Sequence, residues 1–194
     1  MKRRTTVNGA SLLTVLMMLL MPGVASATEI TQTCTVGTLA VPSGSELPDD
    51  PEIVVSCFDS PGEAEAFIAD GAPGDLEQLT SSAPLGRGVT ALSTVALGTV
   101  YTGTSYSGSS LLLWGASGTG CYGVTYGFPN VADFGTAWNN SINSSRAQSG
   151  CWVTHYDGAS YSGSKINCVP DCASMSTMGS KSSSVVYRPV GQYG

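Results

Sequence analysis

The chain has 194 residues, of which only 11% are charged, and its formal net charge at pH 7 is −6. Its lysines and arginines form no cluster beyond the first four residues, so the sequence does not predict a surface that neutralises nucleic-acid phosphates. His155 is the single histidine and the cysteines lack zinc spacing, so we expect no zinc site.

The first 27 residues predict a secretory signal peptide. A basic start at residues 2–4 is followed by an apolar run at 12–21 and by the small residues Ala25, Ser26 and Ala27. This order is typical of a cleaved export signal, and the run is too short to span a bilayer. No later segment is apolar enough to span one. We therefore expect a soluble extracellular protein that begins near Thr28.

Export makes the six cysteines candidates for disulfides, because such bonds persist in oxidising compartments. Other connectivities stay open, but proximity along the chain favours three pairs. They are Cys34–Cys57, Cys121–Cys151 and Cys168–Cys172.

Residues 28–90 predict a small acidic module that ends in a linker. Between residues 28 and 80 there are eleven acidic residues and no basic one, whereas residues 81–194 have three acidic and five basic residues. Such asymmetry is typical of two regions with different roles. The acidic segment either presents a solvated surface or docks on the weakly basic remainder.

Within this module, residues 53–58 form an apolar, β-branched run that predicts a strand. Ser60 and Glu63 then match a capping box, with Pro61 at the first helical position. Gly71 is expected to end this helix. The serine- and proline-containing linker follows near "SSAPLGRG".

After the linker the chain becomes rich in glycine, serine, threonine and tyrosine, with short apolar segments between turn signals. This texture predicts an antiparallel sandwich or barrel. The candidate strands cover residues 95–101, 109–114, 121–126, 152–156, 164–169 and 182–187.

One stretch of this region occurs twice. Residues 101–111 read "YTGTSYSGSSL" and residues 156–166 read "YDGASYSGSKI", with seven of eleven positions identical. Each copy is followed by a serine-rich segment, at 139–145 and at 179–185. The duplication predicts one supersecondary unit used twice, with each copy burying its apolar face against the other.

The repeated pattern resembles the βγ-crystallin Greek-key motif, in which an aromatic residue, a glycine and a distant serine recur. The resemblance implies a mainly β fold, with a sandwich of two Greek keys at residues 91–194 and a small α+β segment before it. Gly108 and Gly163 would adopt the positive φ of a folded hairpin. A serine hydroxyl would form a hydrogen bond with that hairpin, and the aromatic ring would pack over the hairpin.

The combination of the stretch "CFDSPGEAEA" with such a domain after it resembles a group of secreted bacterial proteins that is often grouped with the streptomycete metalloproteinase-inhibitor family. That resemblance implies an inhibitory loop in "NCVPDC", where the Cys168–Val169 peptide bond would be presented to an extracellular metalloprotease. Pro170 and a Cys168–Cys172 disulfide would pre-order the loop, which favours affinity. The loop is one residue shorter than the family's and carries Asp171 where the family has an apolar or basic residue. A disulfide that only tightens a hairpin is the alternative.

Calcium is the second binding hypothesis, because many microbial βγ-crystallins use a motif written (N/D)-(N/D)-x-x-(S/T)-S. Residues 139–144 match it except that Asn143 replaces the serine or threonine, whereas the second copy at 179–184 has lost both Asn/Asp positions. The motif has no carboxylate, so we expect at most one weak site. The alternative is a strand end that only satisfies backbone groups. The candidate ligands are Asn139, Asn140, Ser141, Asn143 and Ser144.

We do not expect an enzyme. In the aligned copies His155 occupies the place of Val100, which indicates a packed or surface strand position instead of a catalytic base. The sequence has no nucleophile elbow, paired-carboxylate motif or phosphate-binding loop. The expected function is therefore extracellular binding by a monomer, with protease inhibition as the specific hypothesis. A calcium-stabilised structural module and a killer-toxin-like antimicrobial protein are the alternatives.

Overall fold

The computed structural model describes residues 33–82 and 93–194, and the predicted signal peptide and most of the linker lie outside them. The described residues form eleven strands and two α-helices. The strands are β1 Thr33–Leu39, β2 Val41–Pro42, β3 Ile53–Phe58, β4 Thr94–Tyr101, β5 Ser110–Ala116, β6 Val124–Phe128, β7 Ser144–Ala147, β8 Cys151–Tyr156, β9 Lys165–Cys168, β10 Asp171–Cys172 and β11 Ser184–Pro189. The helices are α1 Pro61–Ala69 and α2 Asp75–Ser82.

The strands form two sheets that pack face to face. The first has the order β10-β7-β4-β5-β1-β3 and the second the order β2-β6-β11-β8-β9. In each copy of the repeat the third strand crosses over: β6 joins the second sheet and β10 joins the first. This exchange makes two Greek keys that are equivalent to each other. The predicted fold class is confirmed.

The main core lies between the two sheets. Its fully buried side chains include Leu111 of the first sheet and Phe128 and Tyr187 of the second. The rings of Phe128 and Tyr187 meet edge to face, with their centroids 6.3 Å apart. Burying a side chain of this size contributes about 1.5–3 kcal/mol relative to leaving it exposed, so the sandwich depends on this interior.

The strands of the acidic segment extend both sheets. β1 pairs in parallel with β5 and antiparallel with β3, and β2 pairs with β6. The predicted strand at 53–58 is confirmed, whereas β1 was not predicted. Most residues of β1 are buried, so it lacks the alternation of buried and exposed residues that marks a strand in a sequence. The division of the chain into domains at residue 90 stays a prediction.

The two helices cover the outer face of the first sheet. α1 begins as predicted, because the Ser60 hydroxyl accepts a hydrogen bond from the backbone N–H of Glu63 at 3.3 Å. Ile68 of α1 and Leu79 of α2 pack on Trp114 of β5 in a second apolar cluster. The helices therefore bury a face that the first sheet would otherwise expose.

Three disulfides join the pairs that proximity favours, Cys34–Cys57, Cys121–Cys151 and Cys168–Cys172. Cys34 and Cys57 are directly opposite each other in the β1–β3 pairing. The second bond closes a longer stretch, between the turn after β5 and the start of β8. Each bond restricts the unfolded chain, an effect of typically about 2–4 kcal/mol for a native disulfide.

The two repeated hairpins have the same conformation, and in each a serine hydroxyl makes hydrogen bonds to the hairpin backbone. We call this pair of hydrogen bonds the hairpin lock. Gly108 and Gly163 have φ of 79° and 80°. Ser144 donates to the carbonyl of Gly103 at 2.6 Å, and Ser184 donates to the carbonyl of Gly158 at 2.7 Å. The same two hydroxyls each accept a backbone N–H at 3.0 Å, from Tyr106 and from Tyr161 respectively. The predicted role of serine in folding the hairpin is confirmed.

We expect Ser144→Ala and Ser184→Ala each to lower the free energy of unfolding by about 1–2 kcal/mol, because each removes the hydroxyl partner of a partly buried N–H and of a partly buried carbonyl. Urea unfolding followed by tryptophan fluorescence measures the loss. Ser107→Ala is the control, since Ser107 is exposed and its hydroxyl donates to the carbonyl of Thr104, three residues away, at 2.7 Å. An equal loss of unfolding free energy in the control variant would contradict the stabilising role of the Ser144 and Ser184 hydroxyls.

Candidate functional site

The predicted inhibitory loop lies between the edges of the two sheets. Cys168 ends β9, which pairs with β8 in the second sheet, and Cys172 ends β10, which pairs with β7 in the first. Only Val169 and Pro170 lie between the two strands, and the disulfide joins Cα atoms 5.1 Å apart. Both ends of the loop are therefore fixed by backbone hydrogen bonds as well as by the disulfide.

Exposure changes sharply along this loop. Cys168 is fully buried, whereas the Val169 side chain is 45% exposed and Pro170 and Asp171 are also exposed. Asp171 is opposite Arg146 in the β10–β7 pairing. The arrangement presents an apolar side chain on a rigid support, a combination that suits contact with another protein.

The structure separates the six residues of the predicted calcium motif. Ser144 belongs to the hairpin lock, and Ser141 donates to the backbone carbonyl of Asn139 at 3.3 Å. Asn143 and Asn140 contact different partners on the second Greek key. The motif therefore does not form one ligand set.

Two clusters arise instead, and each combines residues of both keys. In the first cluster, the side chain of Asn143 contacts Ser180, with Nδ2 3.0 Å from Oγ. In the second, the Ser183 hydroxyl donates to Oδ1 of Asn140 at 3.3 Å. Asn143 and Ser183 hold equivalent positions in the two copies, as do Asn140 and Ser180. Sequence reasoning missed Ser180 and Ser183, which pairing each motif with the other copy would have found.

In the first cluster the Asn143 amide group faces three oxygen atoms. Its Nδ2 is 2.7 Å from the carbonyl oxygen of Thr102, 3.2 Å from that of Ser141 and 3.0 Å from Oγ of Ser180. A cation would need those oxygens as ligands, yet an N–H donor already faces them. This cluster therefore does not fit calcium.

His155 lies in the interior between the sheets. The ring is fully buried, with Nδ1 3.1 Å from the Ser182 hydroxyl and Nε2 3.0 Å from that of Ser145. Burial lowers the pKa of His155 to about 3, so the ring is neutral at physiological pH. The alignment with Val100 predicts a packed or surface position, and the packed one is observed.

An open pocket of about 650 Å³ lies where the acidic segment meets the second sheet's loops. Asp49, Asp50 and Glu52 line one side, and Asp133 is among the residues opposite. The acidic segment thus faces another carboxylate here instead of a basic surface. Strand pairing and apolar contacts attach it to the rest of the chain.

Within residues 33–82 and 93–194, no three His, Cys, Asp or Glu side chains are grouped to hold a metal ion. None of the helices in that part of the chain is long and apolar enough to cross a membrane.

No family model and no curated protein matches the sequence. Among solved structures, the chain is similar to the N-terminal domain of protein S, with 22% identity over 49% of this chain and 98% of that chain and a TM-score of 0.39. It is also similar to a βγ-crystallin domain from Flavobacterium johnsoniae, with 22% identity, 50% and 99% coverage and a TM-score of 0.37. A clostrillin double mutant in complex with nickel has 21% identity, 48% and 98% coverage and a TM-score of 0.38.

We expect the neutral, buried His155 to make stability pH-dependent. The unfolded chain binds a proton near pH 6.5 but the folded chain only near pH 3, so this contribution is complete above pH 6.5 and is lost as the pH falls towards 3. Between pH 6.5 and 4.5 the loss is about 2 kcal/mol. Valine is the residue at the equivalent position of the other copy. In His155→Val, this part of the dependence of unfolding free energy on pH should vanish. Urea unfolding of both proteins at several pH values measures it, and parallel profiles would refute the assignment.

Proposed function

We propose that the protein is secreted and inhibits an extracellular metalloprotease, with the loop closed by Cys168 and Cys172 as its contact. The observation that carries this proposal is the exposed Val169 directly after a buried cysteine, on a loop anchored in both sheets. The predicted signal peptide and the disulfides support an extracellular location. The choice of metalloproteases rests on the family resemblance of the Cys168–Val169 pair and of "CFDSPGEAEA".

Rigidity would give such a loop its affinity. Binding a flexible loop costs about 0.5–1.5 kcal/mol for each side chain that becomes ordered, and a loop that is already ordered avoids part of this cost. Cys168 is held by the pairing with Val153, and Cys172 by the pairing with Ser145. The Val169 side chain can then enter an apolar pocket of the protease while the two strand ends that hold the loop keep their positions.

The edge of the second sheet offers a second contact. β9 is the outermost of the strands described for this sheet, so one side of its backbone is not paired within the sheet. An extended protease segment could add hydrogen bonds along this edge, as in other strand-addition complexes. β9 leads directly into Val169, which places both contacts on one continuous surface.

We expect the purified protein to inhibit a thermolysin-type metalloprotease at stoichiometric amounts, and Val169→Ser to weaken inhibition at least about tenfold, equivalent to 1.4 kcal/mol. The matched control is Val55→Ser. Val55 has a similar exposure of 42% but lies on β3, at the outer edge of the first sheet. Inhibition constants measured with a peptide substrate provide the comparison.

A panel of secreted metalloproteases should be used, because the loop does not specify the enzyme. Absence of inhibition across the panel, or equal weakening by the two valine substitutions, would contradict the proposal. A Cys168→Ser, Cys172→Ser double variant further separates the role of the closed loop from that of Val169.

A specific observation favours calcium-dependent stabilisation as a second function. In the second cluster, Oδ1 of Asn140 and Oγ of Ser183 are 3.3 Å apart and are joined only by the serine hydroxyl hydrogen. That hydrogen can rotate away, which would leave an amide oxygen and a hydroxyl oxygen directed at one point. Both are suitable ligands for a hard cation, and the lack of a carboxylate implies weak binding.

We expect about 10 mM Ca²⁺ to raise Tm by roughly 3–6 °C if the dissociation constant is about 1 mM. Asn140→Ala should abolish this shift, whereas Asn139→Ala should retain it, because only Asn140 contacts Ser183. Differential scanning calorimetry with and without EDTA measures the shift, with Mg²⁺ as the ion control. A shift that depends on Asn139 and not on Asn140 would show that the cluster is assigned wrongly.

A further inference from the structure

The side chain of Asn143 connects three segments at the junction of the two keys. Through Nδ2 it reaches Thr102 in the first hairpin, Ser141 in its own loop and Ser180 in the loop of the second key. The backbone reinforces this position, since the Asn143 N–H donates to the carbonyl of Tyr101 at 2.9 Å. A half-buried amide thus contacts partners up to 41 residues away from it in the chain.

Chemistry fixes the orientation of this amide. The oxygens of Thr102 and Ser141 are backbone carbonyls, which accept hydrogen bonds and cannot donate them. The atom that faces them must therefore be the nitrogen. Ser180 completes the arrangement, because its hydroxyl donates to Oδ1 of Asn143 at 3.2 Å while its oxygen is 3.0 Å from Nδ2.

We propose that the Asn143 amide is a built-in substitute for a bound cation at the junction of the two keys. The NH₂ group carries a partial positive charge and lies among oxygen atoms from three segments, as a metal ion would. It holds those segments together without any ion. Asn143 is the residue that stands where the calcium motif has serine or threonine, so this difference from the motif has a structural role.

The amide and a cation exclude each other at this point. Calcium–oxygen distances are about 2.3–2.6 Å, so an ion bound to the carbonyls of Thr102 and Ser141 on the side that the amide occupies would overlap Nδ2. The equivalent position of the other copy is Ser183, whose side chain has no N–H to place among such oxygens. The two clusters therefore differ in chemistry, although their positions in the fold are equivalent.

The test replaces the amide with an isosteric carboxylate in a background without the second cluster, Asn140→Ala. In EDTA, adding Asn143→Asp should lower Tm by at least about 5 °C relative to Asn140→Ala alone, because a carboxylate oxygen then faces two carbonyl oxygens. Millimolar Ca²⁺ should restore most of that loss, since the ion can bridge these oxygens. Asn143→Ala is the control: it should lose stability without being restored, because it supplies no ligand.

Three results would overturn the proposal. The first is a Ca²⁺-dependent rise in Tm of the Asn140→Ala protein that disappears in Asn143→Ala, which would make Asn143 itself a ligand. The second is an Asn143→Asp variant as stable in EDTA as its parent. The third is a destabilised Asn143→Asp variant that Ca²⁺ does not restore.

If Asn143→Asp does not fold in EDTA, refolding yield with and without Ca²⁺ replaces Tm, and Asn143→Ser is measured in parallel. In that case the proposal is overturned if Ca²⁺ fails to raise the refolding yield of both Asn143→Asp and Asn143→Ser.

Discussion

The exchange of one strand between the two Greek keys is the constraint on which the rest of the structure depends. β6 leaves the first key to pair with β11, and β10 leaves the second key to pair with β7. Neither sheet can therefore lose one key without breaking backbone hydrogen bonds made by the other. Buried side chains of both keys fill the space between the sheets, so the interior forms only when both keys are present.

The candidate sites are consequences of this exchange. The short loop at Val169 and Pro170 exists because the chain must pass from β9 in one sheet to β10 in the other. The Asn143–Ser180 and Asn140–Ser183 contacts exist because the loops before β7 and β11 meet across the same junction. A rigid exposed loop and two polar clusters thus result from one topological feature.

The local signals in the sequence predicted local structure well. A capping serine followed by proline marked the start of α1, and the duplicated tyrosine–glycine pattern marked the two hairpins. Such signals work because they describe hydrogen bonds and backbone angles within a few residues. β1 and β10 carry no such signal: one is buried over most of its length, and the other has only two residues, which pair with β7.

The sequence by itself determined the duplicated architecture, the capped helix and the cysteine pairs near each other in the chain. Only the tertiary structure decided which key supplies the partners of Asn140 and Asn143, and that His155 bridges two serines inside the core. The physical reason is the range of the interactions. A hydrogen bond between residues 37 or 43 positions apart depends on how the two keys face each other, and no local pattern of residue types records that arrangement.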